Sequence, residues 1–76
     1  MNNSILKAFG IRIKAIRLQR GLSQEQLGLI AEIDRTYISG IERGLRNVSL
    51  INLERLALAL NVEPAELITF GESNNV

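Results

Sequence analysis

The chain has 76 residues and a mass of 8.4 kDa, one small domain near the size at which a single core is only marginally stabilising. It contains no cysteine and no histidine, which excludes disulfides, thiol chemistry, Cys/His zinc sites and histidine acid–base catalysis, so no cofactor, no metal and no enzymatic activity is expected. No apolar run is long enough to span a bilayer, and the first ten residues, MNNSILKAFG, lack the features of a signal peptide, so the expectation is a soluble, cytoplasmic protein with no membrane partner. The formal net charge of +1 hides an asymmetry. Residues 1–46 carry eight Lys/Arg against four acids, net +4; residues 47–76 carry one against four, net −3. The basic half reads either as a surface for an anionic partner or as scatter over a small surface.

The apolar residues are mostly Leu, Ile and Ala, and aromatics make up only 4%, which favours helices over a β-sandwich. In chain order, Leu6, Phe9, Ile13 and Ile16 recur at helical spacing and predict a first helix over about 4–20, stopped at Gly21. Ser23 and Gln26 form an S-x-x-Q capping box that opens a second helix over about 24–31. Asp34 caps a third, about 35–43, ended by Gly44. Ser49 caps a fourth, about 50–60, ended by Asn61. A fifth covers about 64–69; Glu63 is a poorer cap, but Pro64 suits the first helical position. Each of the last four helices follows a hydrophobic staple: Leu22 with Leu27, Ile33 with Ile38, Val48 with Leu53, Val62 with Leu67. The polar, aperiodic stretch 71–76, GESNNV, is expected to be a flexible tail on a domain spanning 1–70.

The second and third helices are joined by only Glu-Ile-Asp, the geometry of a helix-turn-helix. At about 100° per residue, Ile38 and Ile41 point to the core while Thr36, Ser39, Gly40 and Arg43 fall on the opposite side. Arg35 sits at the N-terminal edge, Tyr37 on the flank and Glu42 toward the inner edge. A short, polar, basic outward face suits a helix that enters the major groove of DNA. Gly40, which costs about 1 kcal/mol relative to alanine, reads either as room for close approach or as a tolerated glycine on a solvated face.

The runs GLSQEQL, RTYISGIERG and SLINLERLALALNV resemble the helix-turn-helix family of lambdoid phage repressors and Cro over about residues 10–70. Within that family, DRTYISGIERGLRNVSL is most similar to the controller proteins of bacterial restriction–modification systems. The resemblance implies an all-α, five-helix bundle of the lambda repressor-like DNA-binding type. It implies that Gln24 holds a backbone phosphate, and that Arg35 and Thr36 contact base edges. Tyr37 and Ser39 match positions that touch bases or backbone, with Tyr37 assigned to bases and Ser39 to backbone. Arg43, Arg46 and Asn47 match a phosphate-gripping loop, from which Arg46 also reaches bases. Arg17 and Glu42 match a salt bridge between the first and third helices. Two positions depart from the pattern: Gly28 stands where alanine is usual, and Glu32 where glycine is usual, at a cost of about 1 kcal/mol each.

The fourth helix is apolar nearly all round, so more than one of its sides is expected to be covered. Leu67 is assigned to the core of its own subunit, and Ile51, Ile68 and Phe70 to a twofold dimer interface. By resemblance the partner is a double-stranded, palindromic DNA operator, bound by a homodimer or by two dimers on one site. The regulator would activate its own gene and an endonuclease gene, then repress them when the second dimer binds. RNA polymerase is a further expected partner, with exposed Glu25 as its contact. The alternatives are a prophage-type repressor and an antitoxin-like DNA-binding protein.

Overall fold

The starts of the second, third and fourth helices follow the local chemistry of their caps. In the computed structural model, which describes residues 4–70, the order is α1 (Ser4–Gln19), α2 (Gln24–Ala31), α3 (Arg35–Glu42), α4 (Leu50–Leu60) and α5 (Pro64–Leu67). The Ser23 hydroxyl accepts from the Gln26 N–H at 3.0 Å, and the Gln26 side chain accepts from the Ser23 N–H at 2.8 Å, so the capping box is closed in both directions. Asp34 and Ser49 cap α3 and α4 in the same way, accepting from Thr36 and Asn52. Glu63 makes no side-chain cap bond, and α5 relies on Pro64 instead. All four staple residues, Leu22, Ile33, Val48 and Val62, belong to or pack against the core.

The first four helices end in one shared backbone turn. A residue with positive φ follows each: Gly21 (72°), Glu32 (60°), Gly44 (77°) and Asn61 (59°). The next N–H then reaches back five residues, from Leu22 to Arg17, Ile33 to Gly28, Leu45 to Gly40 and Val62 to Ala57, at 2.9–3.1 Å. These are Schellman closures, which satisfy carbonyls that a helix end would otherwise leave free. Three helices stop earlier than the sequence predicts, α1 by one residue at Gln19. Arg43 has already left α3, with φ −87° and ψ 0°. Ile68 has left α5, and the Thr69 hydroxyl takes the Ala65 carbonyl at 2.7 Å, the acceptor that a further backbone turn needs. The expected tail, 71–76, lies outside the described residues.

Each helix contributes to one core. Its fully buried large side chains are Ile13 of α1, Leu27 of α2, Ile38 and Ile41 of α3, Leu56 and Leu60 of α4, and Leu67 of α5. Burying each contributes about 2 kcal/mol. Two glycines set how closely the elements meet. A Cβ on Gly10 would strike the Ile41 carbonyl oxygen and lie 2.7 Å from that of Glu42, so α1 crosses α3 backbone to backbone. A Cβ on Gly28 would lie 2.5 Å from the Ile33 carbonyl oxygen. The departure from alanine at position 28 is therefore the fit of α2 under its own turn, besides any weakening of the helix.

Glu32 is the one turn residue chemically unsuited to its place, since a side chain in the left-handed region costs about 1 kcal/mol that glycine does not. Arg55 Nη1 donates to its carbonyl oxygen at 3.4 Å, a backbone interaction that glycine keeps. Glu32→Gly is expected to stabilise the domain by about 0.5–1 kcal/mol, raising Tm by several degrees, roughly 4 °C. Thermal denaturation followed by circular dichroism reads this directly, and a lowered Tm would show that the glutamate side chain contributes more than its backbone costs.

Candidate nucleic-acid interface

The orientation of α3 is set from behind. Arg17 of α1 is only 6% exposed, yet every bond direction of its guanidinium that the fold uses is met. Its Nε donates to Glu42 Oε2 at 2.6 Å and its Nη2 to Oε1 at 3.0 Å, a two-pronged ion pair. Nη1 donates to the Leu22 carbonyl at 2.8 Å, and Gln24 Nε2 adds a 3.0 Å bond to Glu42 Oε1. The hydrogen bond to the Glu42 carboxylate holds the Arg17 pKa above its ordinary value, against the opposite pull of burial. One carboxylate at the end of α3 thus ties that helix to α1, to the turn after it and to the start of α2.

With Ile38, Ile41 and Glu42 turned inward, the first turn of α3 is left outside. Arg35 and Thr36 are exposed, and Tyr37 is half-buried. Asp34 Oδ1 accepts from both the N–H and the hydroxyl of Thr36 at 3.0 Å, and these bonds hold the Asp34 carboxyl below its usual pKa. The Thr36 hydroxyl has thereby committed its proton and presents lone pairs outward, so it is an acceptor toward any base. Thr36, Tyr37 and Arg46 line one shallow polar depression, rimmed by Asn52 and Arg55 of α4. Arg35 is separate from them, in a second depression beside Glu25, Leu29 and Glu32.

The residues expected to grip the backbone lie around this face. Gln24 is half-buried and spends one amide proton on Glu42. Ser39 is half-buried, and its carbonyl accepts from Arg43 Nε at 3.4 Å. Arg43 and Asn47 are exposed, and the Asn47 carbonyl accepts from the Tyr37 hydroxyl at 3.5 Å, the long limit for such a bond. Asn52 and Arg55 carried no role in the sequence reading. The register counted from the Ser49 cap places them one turn apart on one face of α4, which is the signal that could have found them.

Two expectations need correction. Gly40 is not an open stretch of the outward surface; it is buried, because the Arg46 side chain lies across it. The basic excess of the first 46 residues also overstates the surface available to an anion. Arg12 Nε donates to the Glu66 carbonyl and Arg20 Nε to the Leu60 carbonyl, both at 2.8 Å. Together with Arg17 they serve the interior and the C-terminal ends of α4 and α5, where cations are favoured. Lys7, Lys14, Arg20, Arg35, Arg43 and Arg46 are exposed, Arg20 with its Nε already engaged.

The helix-turn-helix family pattern matches residues 13–67. The chain is 46% identical to the control protein C.BamHI of Bacillus amyloliquefaciens over 76 residues, 99% of this chain and 94% of that protein. The chain belongs to the helix-turn-helix family, among the restriction–modification controller proteins. Its fold is similar to that of the controller C.AhdI from Aeromonas hydrophila, with a TM-score of 0.83 and 50% identity over 84% of this chain and 97% of that one. It is also similar to the controller C.Esp1396I in a structure of its tetramer with its natural 35 base-pair operator, with a TM-score of 0.77 and 41% identity over 83% of each chain. The likeness covers 84% of this chain, far more than α2 and α3 alone.

Away from α3, the helix-turn-helix chain shows a second kind of surface. Leu50 is 81% exposed, Ile51 65% and Ile68 53%, and Phe70 stands beside them. Ile5, Leu6, Phe9, Leu50, Leu53, Ile68 and Phe70 line an apolar groove between α1, α4 and α5. Ile68 and Phe70 are brought together there, whereas Ile51 lies outside it and Leu50 takes the place expected of it. No helix among the described residues is long and apolar enough to cross a membrane.

Glu42→Ala and Arg17→Ala each strand a buried charge. Each is expected to cost about 3–5 kcal/mol, a large share of the roughly 4–11 kcal/mol typical of a domain this size. Urea denaturation is the measurement, and a cost below about 1 kcal/mol would mean the pair behaves as a surface bridge.

Proposed function

We propose that the chain is a homodimeric, sequence-specific DNA-binding transcription regulator, the controller of a restriction–modification system. It acts in the cytoplasm on a palindromic operator upstream of its own gene and an endonuclease gene. The observation that carries this reading is the outward first turn of α3, which presents Arg35, Thr36 and Tyr37 on a helix locked from behind, with Arg46 of the following loop beside Thr36 and Tyr37. Such a helix lies in the major groove with its N-terminal residues at the base edges. Arg35 and Arg46 carry the forked donors that match guanine O6 and N7, and Thr36 and Tyr37 complete the reading of bases. Gln24, Ser39, Arg43 and Asn47 fix register by holding phosphates on either side.

A second copy of this chain covers the apolar face of Ile51, Ile68 and Phe70, joined by Leu50. Two copies meeting at this face would set their α3 helices about 34 Å apart, one duplex turn. The complex of C.Esp1396I as a tetramer on its operator supports two dimers on one site here as well. Occupation of the first site then activates, through a contact between exposed Glu25 and RNA polymerase, and occupation of the second represses.

The test of α3 compares two variants on a duplex site recovered by selection from random sequence and on unselected duplex. Arg35→Ala is expected to lose about 1–3 kcal/mol on the selected site, with relaxed base preference and little change on random duplex. Arg43→Ala is expected to weaken both alike and to reduce the salt slope by about one unit. Equal losses for Arg35→Ala on both duplexes would remove its base-reading role. For the pairing face, sedimentation at micromolar concentration is expected to show a dimer that Ile68→Asp converts to an 8.4 kDa monomer with its helical spectrum retained. A wild-type protein that sediments as a monomer would sink the interface.

A further inference from the structure

Gly40 sits in the middle of α3, where glycine weakens the helix, and the question is what its missing side chain allows. An alanine Cβ there would lie 2.9 Å from Arg46 Cγ and 3.0 Å from Arg46 Nε, too close for real carbon contacts. The stem of Arg46 therefore occupies a notch that exists only because residue 40 has no side chain. Two further constraints hold the same arginine. Its guanidinium carbon stands 5.2 Å from the centre of the Tyr37 ring, in the range of cation–π attraction. The chain leading to it is pinned to α3, because Leu45 N–H donates to the Gly40 carbonyl at 2.9 Å, with Gly44 at a φ of 77°.

We propose that Gly40 is a positioning residue. Its notch, together with the Tyr37 ring, holds the long side chain of Arg46 against α3 before DNA arrives, so that the base-reading arginine binds without first being ordered. This rests on the assignment of Arg46 to base contact made above. It differs from simple clearance for DNA, because the space at Gly40 is already filled by the protein's own side chain. Ordering a flexible, rotamer-rich side chain in advance removes a cost that binding otherwise meets.

The variant Gly40→Ala tests this with fold and function moving apart. Its Cβ meets a flexible side chain and not backbone, and alanine is the better helix former, so the melting temperature is expected to hold or rise. In the free protein, nuclear magnetic resonance is expected to show the Arg46 side-chain protons losing the ring-current shift of Tyr37. Unchanged Arg46 resonances would overturn the notch, whatever happens with DNA. On the selected duplex, Gly40→Ala is expected to bind about tenfold more weakly, within the range that one well-formed base contact carries. The double variant Gly40→Ala, Arg46→Ala is expected to bind no more weakly than Arg46→Ala alone. Losses that multiply would show the methyl group obstructing DNA directly and would overturn the proposal. An Arg46→Ala protein that binds like the wild type would remove the base-reading assignment, while the resonance result reports on the notch separately.

Discussion

The bundle turns on one carboxylate. Glu42 closes α3 with a side chain pointing inward, and Arg17 meets it with two parallel bonds while a third reaches the carbonyl of Leu22. Removing two charges from water costs more than a lone ion pair returns, so such a pair holds only where its remaining donors and acceptors are also met. Gln24 supplies one of those partners from the first position of α2. The geometry that satisfies the pair also fixes the rotation of α3 about its axis. Ile38 and Ile41 then have one way to face the core, and the first turn has one way to face outward.

Around that centre the chain repeats a single device for reversing direction. Four helices end in a left-handed residue and a bond back across five residues, which keeps the connections short and the helices steeply packed. At Gly10 and Gly28 the absence of a side chain lets backbone lie against backbone. Glu32 breaks the pattern by placing an ordinary residue in a left-handed turn, and the structure offers the strain without a visible return.

The outward face is prepared in advance. Thr36 is bonded to Asp34, Gln24 to Glu42, and Arg46 rests on Gly40 and Tyr37. Each of these side chains already holds one partner inside the protein and keeps a polar group for another outside it. For the proposed recognition of DNA, such pre-ordering would lower the cost of immobilising side chains on binding. The exposed apolar residues of the proposed pairing face, Leu50, Ile51, Ile68 and Phe70, lie elsewhere, on α4 and just after α5, so the two proposed contacts would not compete for surface.

Much of this was legible along the chain, because caps, staples and terminators act within a few residues. Ser23, Asp34 and Ser49 announce where helices begin, and Gly21, Gly44 and Asn61 where they end, with no knowledge of what packs on them. The sequence likewise assigned Ile38, Ile41 and Leu67 to the core. The purpose of particular residues was not legible. Gly40 read as space for DNA or as a tolerated glycine until the chain beyond Gly44 folded back and laid Arg46 over it. Arg12 and Arg20 read as part of a basic surface until helices more than 30 residues away brought their terminal carbonyls within 2.8 Å. The sequence by itself determined the helices and their inward faces, since those depend on local hydrogen bonds and on period. Only the tertiary structure decided which polar side chains are spent inside the protein and which remain for a partner, because a hydrogen bond between distant segments leaves no periodic trace.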